Sequence, residues 1–233
     1  MAVTPELISS FPALRSLPQH LLSDLAQQST LRKYPRRSIV LNAGIKEECV
    51  CFLFEGRLQG VDFTIDGREV GLYFIEPGDF CGELALFDGG PQSEYVISLT
   101  SATVVNIPNN VIRKIMLQNP GLANTLGAKL AARVRQMTLQ RTLLGLPNIP
   151  QRVCSQLWLL IPDKNKQGSS ESIIKSPPTH LEIAIMLNVS RETVTRVFQK
   201  LQSRQIVKRD GPARLLVTDL GALKKFAEGH EEL

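Results

Sequence analysis

The sequence predicts an α+β chain: an N-terminal β-roll of jelly-roll type (a double-stranded β-helix), then one long helix, then a C-terminal winged helix-turn-helix. Three observations lead there. Short β-type stretches between Arg36 and Ile107 are punctuated by Gly and Pro at the roughly 8–12 residue spacing of an all-β sandwich or barrel. Beyond Pro120, apolar residues recur at three, four and seven residue steps, as on one face of a helix. Further on, two short helical patterns are separated only by Asn188-Val189, a connection suited to a helix-turn-helix.

Size and charge narrow the function. The 233 residues are 43% hydrophobic and 21% charged, enough for one large or two modest cores, so disorder is not the main theme. The longest apolar runs, Cys49 to Phe54 and Leu157 to Ile161, fall far short of the roughly 18 residues of a membrane span. Met1 to Glu6 has neither a basic head nor an apolar signal segment, so a cytoplasmic location with no membrane partner is expected. Cys49, Cys51, Cys81 and Cys154 are too sparse for a disulfide framework and are expected as thiols. The net charge of +5 is unevenly placed: residues 1–140 hold 13 Lys/Arg and 13 Asp/Glu, residues 141–233 hold 14 and 9. A neutral front and a basic back suit a polyanionic partner at the back.

In chain order, a small helical preface is expected over about residues 5–30. Strands follow at Ser38 to Leu41, Val50 to Glu55, Arg57 to Thr64, Val70 to Ile75, Tyr95 to Leu99 and Thr103 to Ile107, with Asp66-Gly67 as a tight primed hairpin turn. Residues from Asn109 to Gly145 carry no strand signal. Leu122, Leu126, Leu130, Val134, Met137 and Leu144 form one narrow stripe, which either covers the roll or packs against a second copy of the chain. Leu146-Pro147-Asn148-Ile149-Pro150 breaks that helix. The boundaries expected are therefore 1–116 for the roll, 117–146 for the dimerisation helix and 147–233 for the winged helix-turn-helix. A solvated loop is expected over Asp163 to Ser172.

The richest stretch begins at Thr179. Thr179 to Leu187 reads as a short helix, Asn188 as the residue that tolerates left-handed backbone angles, and Ser190 as the N-cap of a second helix running to about Gln202. On that helix Arg191, Glu192, Arg196, Lys200 and Arg204 lie opposite Val194, Val197, Phe198 and Leu201. A charged helix face alone is usually just solvated. Here the cap, the Asn turn and the basic second helix coincide, which points to double-stranded DNA. The first turns of a recognition helix reach deepest into the major groove. Arg191 and Arg196 can bond guanine and Glu192 can accept from cytosine, with the hydroxyls of Thr179, Ser190 and Thr193 alongside. Lys200 suits phosphates. Ile206 to Val217 reads as two strands around Gly211-Pro212, a wing carrying Lys208, Arg209 and Arg214.

Ser190-Arg191-Glu192-Thr193-Val194-Thr195-Arg196 closely resembles the recognition helix of the cyclic-AMP receptor protein and fumarate-nitrate regulator family of bacterial transcription factors. The order of roll, long helix and winged helix-turn-helix extends the resemblance over nearly the whole chain. It implies a cyclic-nucleotide-binding-like roll, a homodimer through the long helix, inverted TGTGA-like half-sites and RNA polymerase as a further partner. Gly78 to Ser93 resembles the family's phosphate-binding cassette, with Gly82, Glu83, Leu84 and Ala85 as the cradle. By resemblance Glu83 takes the ribose hydroxyl and Ser93 part of the phosphate. The family's Arg is replaced by Gln92, and Glu94 stands where a small residue is usual. Losing that cation is expected to cost a buried phosphate ~3 kcal/mol, and Gln92→Arg is expected to restore affinity. Arg133 could supply charge, while Met137 and Thr138 align with the adenine-reading pair.

The effector stays open among a cyclic mononucleotide in a changed pose, a cyclic dinucleotide, another small molecule, or none. Glu83 could equally be only a cap of the cassette. The roll has no His, and no Cys precedes Cys49, so neither haem nor an iron–sulfur cluster is expected, and no metal. Cys49 and Cys51 share a strand face and read as small buried hydrophobes, with Cys81 the better redox candidate. No catalytic set is visible, so an enzyme is not expected. The alternatives are a regulator that binds DNA without an effector, a roll serving as sensor subunit of an enzyme, and a DNA-compacting protein.

Overall fold

The computed structural model describes residues 2–162, 170–211 and 213–233. Met1, residues 163–169 of the expected solvated loop and Pro212 of the expected wing turn lie outside the described residues. The chain divides into two compact units, Met1–Arg68 with Leu72–Met137, and Glu69–Gly71 with Thr138–Leu233. Among the described residues no helix is long and apolar enough to cross a membrane.

In the first unit, α1 (Pro5–Ser9) and α2 (Gln19–Gln28) form the helical preface. The roll is made of two antiparallel four-stranded sheets. One runs in the order β1-β8-β3-β6, from Thr30–Tyr34, Ala102–Pro108, Cys49–Glu55 and Phe80–Cys81. The other runs β2-β7-β4-β5, from Ile39–Leu41, Tyr95–Ser98, Leu58–Phe63 and Glu69–Ile75. The continuous apolar run of β3 has a simple cause. Val50 and Phe52 enter the core shared with α1 and α2, while Cys51 and Leu53 enter the interior of the roll. A strand buried on both faces loses the polar alternation of a half-exposed one. β8 is divided alike, with Val105 and Ile107 on the helix side and Ala102 and Val104 inside.

One detail differs from expectation. In the β4–β5 hairpin only Gly67 has positive φ (78°), and Thr64 accepts from Gly67 while donating to Arg68. The loop thus holds three residues with a left-handed Gly at its end, rather than a two-residue primed turn, which needs positive φ at both positions. The helical stretch after the roll is two helices, α4 (Asn109–Gln118) and α5 (Pro120–Leu144). Pro120 starts the second because its missing N–H costs nothing in a first turn. α3 (Leu84–Asp88) is the short helix of the cassette. Along α5, Leu122 and Leu126 are buried in the helix-side core of the first unit, whereas Val134 and Met137 are exposed. The front of the stripe therefore covers the roll, as one of the two expected uses had it.

The second unit opens with α6 (Ile149–Leu159), whose N-cap Asn148 accepts from the Gln151 N–H at 3.0 Å. Then come β9 (Ser172–Lys175), α7 (His180–Leu187), α8 (Arg191–Ser203), β10 (Val207–Arg209), β11 (Arg214–Val217) and α9 (Leu220–Glu228). The three strands pair antiparallel in the order β10-β11-β9, so the wing carries a third strand beyond the two expected, beginning at Ser172 where the expected loop ends. One core gathers Val153, Leu157, Ile183, Leu187, Val194, Phe198, Leu223 and Phe226.

Candidate nucleic-acid interface and roll pocket

The helix pair is built by local chemistry. Thr179 accepts from the Glu182 N–H at 3.2 Å, and Glu182 accepts from the Thr179 N–H at 2.8 Å, a reciprocal cap that starts α7. Asn188 ends it at φ 50°, ψ 51°, returning its N–H to the Ala184 carbonyl. Ser190 then accepts from the Thr193 N–H at 3.1 Å and starts α8. Val194, Val197, Phe198 and Leu201 are buried, which leaves Arg191, Glu192, Arg196 and Lys200 on the exposed face. The hydrogen-bonded helix start, with Ser190 close by, holds the Glu192 carboxyl below its ordinary pKa. Ser190→Ala should cost ~1 kcal/mol of stability in a denaturant melt. A loss on the scale of a few tenths would mean that the cap is solvent-replaced.

The wing presents Lys208, Arg209 and Arg214, all exposed. Arg214 reaches Asp210 at 3.3 Å, a solvent-exposed pair worth little and readily exchanged for a phosphate. Lys200 is engaged with the Leu233 carbonyl oxygen at 3.2 Å. One contributor was not anticipated: His180. Its Nδ1 lies 2.9 Å from Thr195 Oγ1, which itself donates to the Arg191 carbonyl at 3.0 Å, so the imidazole N–H donates to the Thr195 hydroxyl. Its ring centroid sits 4.4 Å from that of Phe198. His180 thereby ties α7 to the first turns of α8. Burial, with Arg209 and Arg191 nearby, lowers its pKa and favours the neutral ring. A lone His has no spacing that would have marked it.

In the roll, Gly82 has φ 82°, and a Cβ there would meet the Cys49 carbonyl oxygen at 3.0 Å, so the tight approach needs glycine. Glu83 precedes α3, and its side chain makes no cap hydrogen bond to that helix. Instead its Oε1 pairs with Arg133 of α5. Arg133 also donates to the Phe80 carbonyl at 2.7 Å and lies 4.4 Å over the Tyr73 ring. Burial pushes the Glu83 carboxyl up, and the Arg133 guanidinium opposes that rise. Four residues before Arg133 on the helix, Lys129 reaches Asp79 at 2.6 Å.

Gln92 and Ser93 do not join this pair. Both turn to Glu94, whose Oε1 accepts from Gln92 Nε2 at 2.9 Å and from the Tyr73 hydroxyl, and whose Oε2 accepts from the Ser93 hydroxyl. Glu94 is 6% exposed and Gln92 2%, so the carboxylate is inside the protein. Leu84 is half-buried and Ala85 buried, and the Ala85 carbonyl accepts from Arg113 at 2.6 Å, a second staple on the cassette that the sequence did not reveal. Met137 is 38% exposed, and Thr138 is exposed in the second unit. Cys81 is corrected as a redox candidate. It is fully buried opposite Cys51 and donates to the Cys51 carbonyl at 3.8 Å, and the Cys51 side chain beside it together with burial drives its pKa well up, away from the reactive thiolate.

Residues 31–119 match the cyclic nucleotide-binding domain family, and residues 151–226 match the Crp-like helix-turn-helix domain family. The cAMP-activated global transcriptional regulator CRP of Pasteurella multocida is 28% identical over 184 residues, spanning 78% of this chain and 87% of that protein. In fold, FixK2 from Bradyrhizobium japonicum superposes with a TM-score of 0.72 at 20% identity, over 85% of this chain and 96% of that one. The c-di-GMP responsive global regulator CLP of Xanthomonas campestris gives 0.66 at 20% identity, over 86% and 99%.

Proposed function

The chain belongs to the cyclic-AMP receptor protein and fumarate-nitrate regulator family of bacterial transcription regulators, and from that premise we propose that it works as a homodimer on inverted TGTGA-like half-sites. Members of this family regulate transcription and are not enzymes, so a sensor subunit of an enzyme is not the reading. The observation that carries the proposal is the exposed row Arg191, Glu192 and Arg196 on a helix whose start is held by Ser190 and whose approach is held by Thr179, Asn188 and His180. In this reading Arg191, Glu192 and Arg196 meet base edges. Ser190, Thr193, Thr179, Lys200, Lys208, Arg209 and Arg214 meet the backbone. We assign residues 1–116 to the effector-type roll, 117–146 to the dimerisation helix and 147–233 to DNA binding. Work on DNA places the protein in the cytoplasm, with RNA polymerase as the further partner.

The second copy is proposed to pack along α5, where Val134 is 63% and Met137 38% exposed, apolar side chains following the buried Leu126 on the same stripe. Symmetry makes this self-complementary and spaces two recognition helices by one DNA turn, about 34 Å. Sedimentation equilibrium should return a dimer for the wild type and monomer for Met137→Glu, which would also lose affinity for the two-half-site duplex. A dimer unchanged by Met137→Glu would place the interface elsewhere. DNA binding that needs no small molecule is favoured by one observation: the cassette's polar side chains are already paired with one another.

A further inference from the structure

A phosphate can settle in this roll only if donors are available to it. Three side-chain donors converge beside the cassette on the Glu94 carboxylate: one N–H of the Gln92 amide, the Ser93 hydroxyl and the Tyr73 hydroxyl. Burial keeps Tyr73 protonated, as its raised pKa indicates, so it is a donor there. Arg133, the one buried cation among the described residues, is held by Glu83. Glu94 also acts on Glu83, adding to the upward push on its carboxyl, so this part of the roll already holds two buried carboxylates. The acceptors left over, Glu83 Oε2 and Gln92 Oε1, have no hydrogen-bond partner and offer an anion nothing. An incoming phosphate would have to expel Glu94 and would meet negative charge in a low-dielectric interior, where like charges repel strongly.

We propose that Glu94 is a built-in anion: its carboxylate occupies the anion seat of the roll, so the chain takes no phosphate-bearing effector and its roll is held in one liganded-like arrangement by its own side chains. This rests on the roll being of the cyclic nucleotide-binding type, and it deepens the reading in which DNA binding is independent of an effector. It also changes what Gln92→Arg should do. A guanidinium placed at residue 92 lies within reach of Glu94 and would pair with it, so the cation would be used up internally.

Titration calorimetry of the full chain with cyclic AMP, cyclic GMP and cyclic di-GMP tests this. Wild type and Gln92→Arg should both bind more weakly than about 1 mM. Gln92→Arg combined with Glu94→Ala should gain at least about 100-fold for a cyclic mononucleotide, and the pairing of Gln92→Arg with Glu94→Gln guards against a folding defect of the first combination. Micromolar binding by wild type overturns the proposal. So does a gain by Gln92→Arg alone equal to that of the combinations, or no gain in either combination once tyrosine near-UV dichroism shows a native roll. Failure to bind any DNA duplex would instead sink the regulator's proposed site and leave this result standing.

Discussion

Arg133→Met should destabilise the roll by about 3–5 kcal/mol, because it leaves the Glu83 carboxylate buried without its cation. The two side chains are 9% and 1% exposed, so solvent cannot take over the pairing. Arg133 also satisfies the Phe80 carbonyl and covers the Tyr73 ring, contacts that methionine can only partly replace. Adding Glu83→Gln should recover much of the loss, since a neutral amide is far cheaper to bury than an orphan charge. The molecule carries convenient separate probes. Tyr34, Tyr73 and Tyr95 all lie in the first unit and Trp158 in the second. In a urea melt the tyrosine signal should shift to lower denaturant while Trp158 fluorescence moves little. A loss below about 1 kcal/mol would mean that the pair behaves as a surface ion pair.

What could be read from the sequence and what could not follow from how far apart the partners lie. The helix pair was legible because Thr179 with Glu182, Asn188 with Ala184, and Ser190 with Thr193 are all within four residues, so the chain announces them locally. The double burial of β3 was visible as an unbroken apolar run. β1, β6 and β9 were missed for the opposite reason. Thr30–Tyr34 is largely polar, Phe80–Cys81 is two residues long, and Ser172–Lys175 becomes a strand only by pairing with Arg214–Val217 some forty residues on. In the pocket, the replacement of the expected Arg by Gln92 and the intrusion of Glu94 stood out at once. Their consequence did not, since Arg133 and Glu83 are 50 residues apart and Tyr73 and Glu94 are 21 apart. No periodicity connects such pairs, and only the closed roll makes them neighbours. Cys81 shows the same limit, because its fate was decided by lying opposite Cys51 across two strands.

Arg191→Ala should lower affinity for a TGTGA-like inverted repeat by ~1–3 kcal/mol, about 5–150-fold, and relax the preference at one guanine of each half-site. The physical basis is that the side chain leaves the first position of α8, immediately after the Ser190 cap, where the helix axis reaches deepest into a groove. The substitution itself should be structurally quiet, since Arg191 is exposed and alanine is a good helix former. Lys208→Ala, on the wing strand β10, is the matched control: it should weaken every duplex alike and reduce the salt dependence by about one phosphate. Fluorescence anisotropy at one fixed salt, with the repeat and a scrambled duplex of equal length, separates the two outcomes. Equal loss on both duplexes from Arg191→Ala would reassign that side chain to phosphate and move base reading to Glu192 and Arg196. A loss confined to the repeat, beside a uniform loss for Lys208→Ala, divides the basic surface into a reading edge on α8 and a gripping edge on the wing. That division turns a general attraction for polyanions into choice among sequences, because phosphate contacts supply affinity to every duplex and only base contacts distinguish one from another.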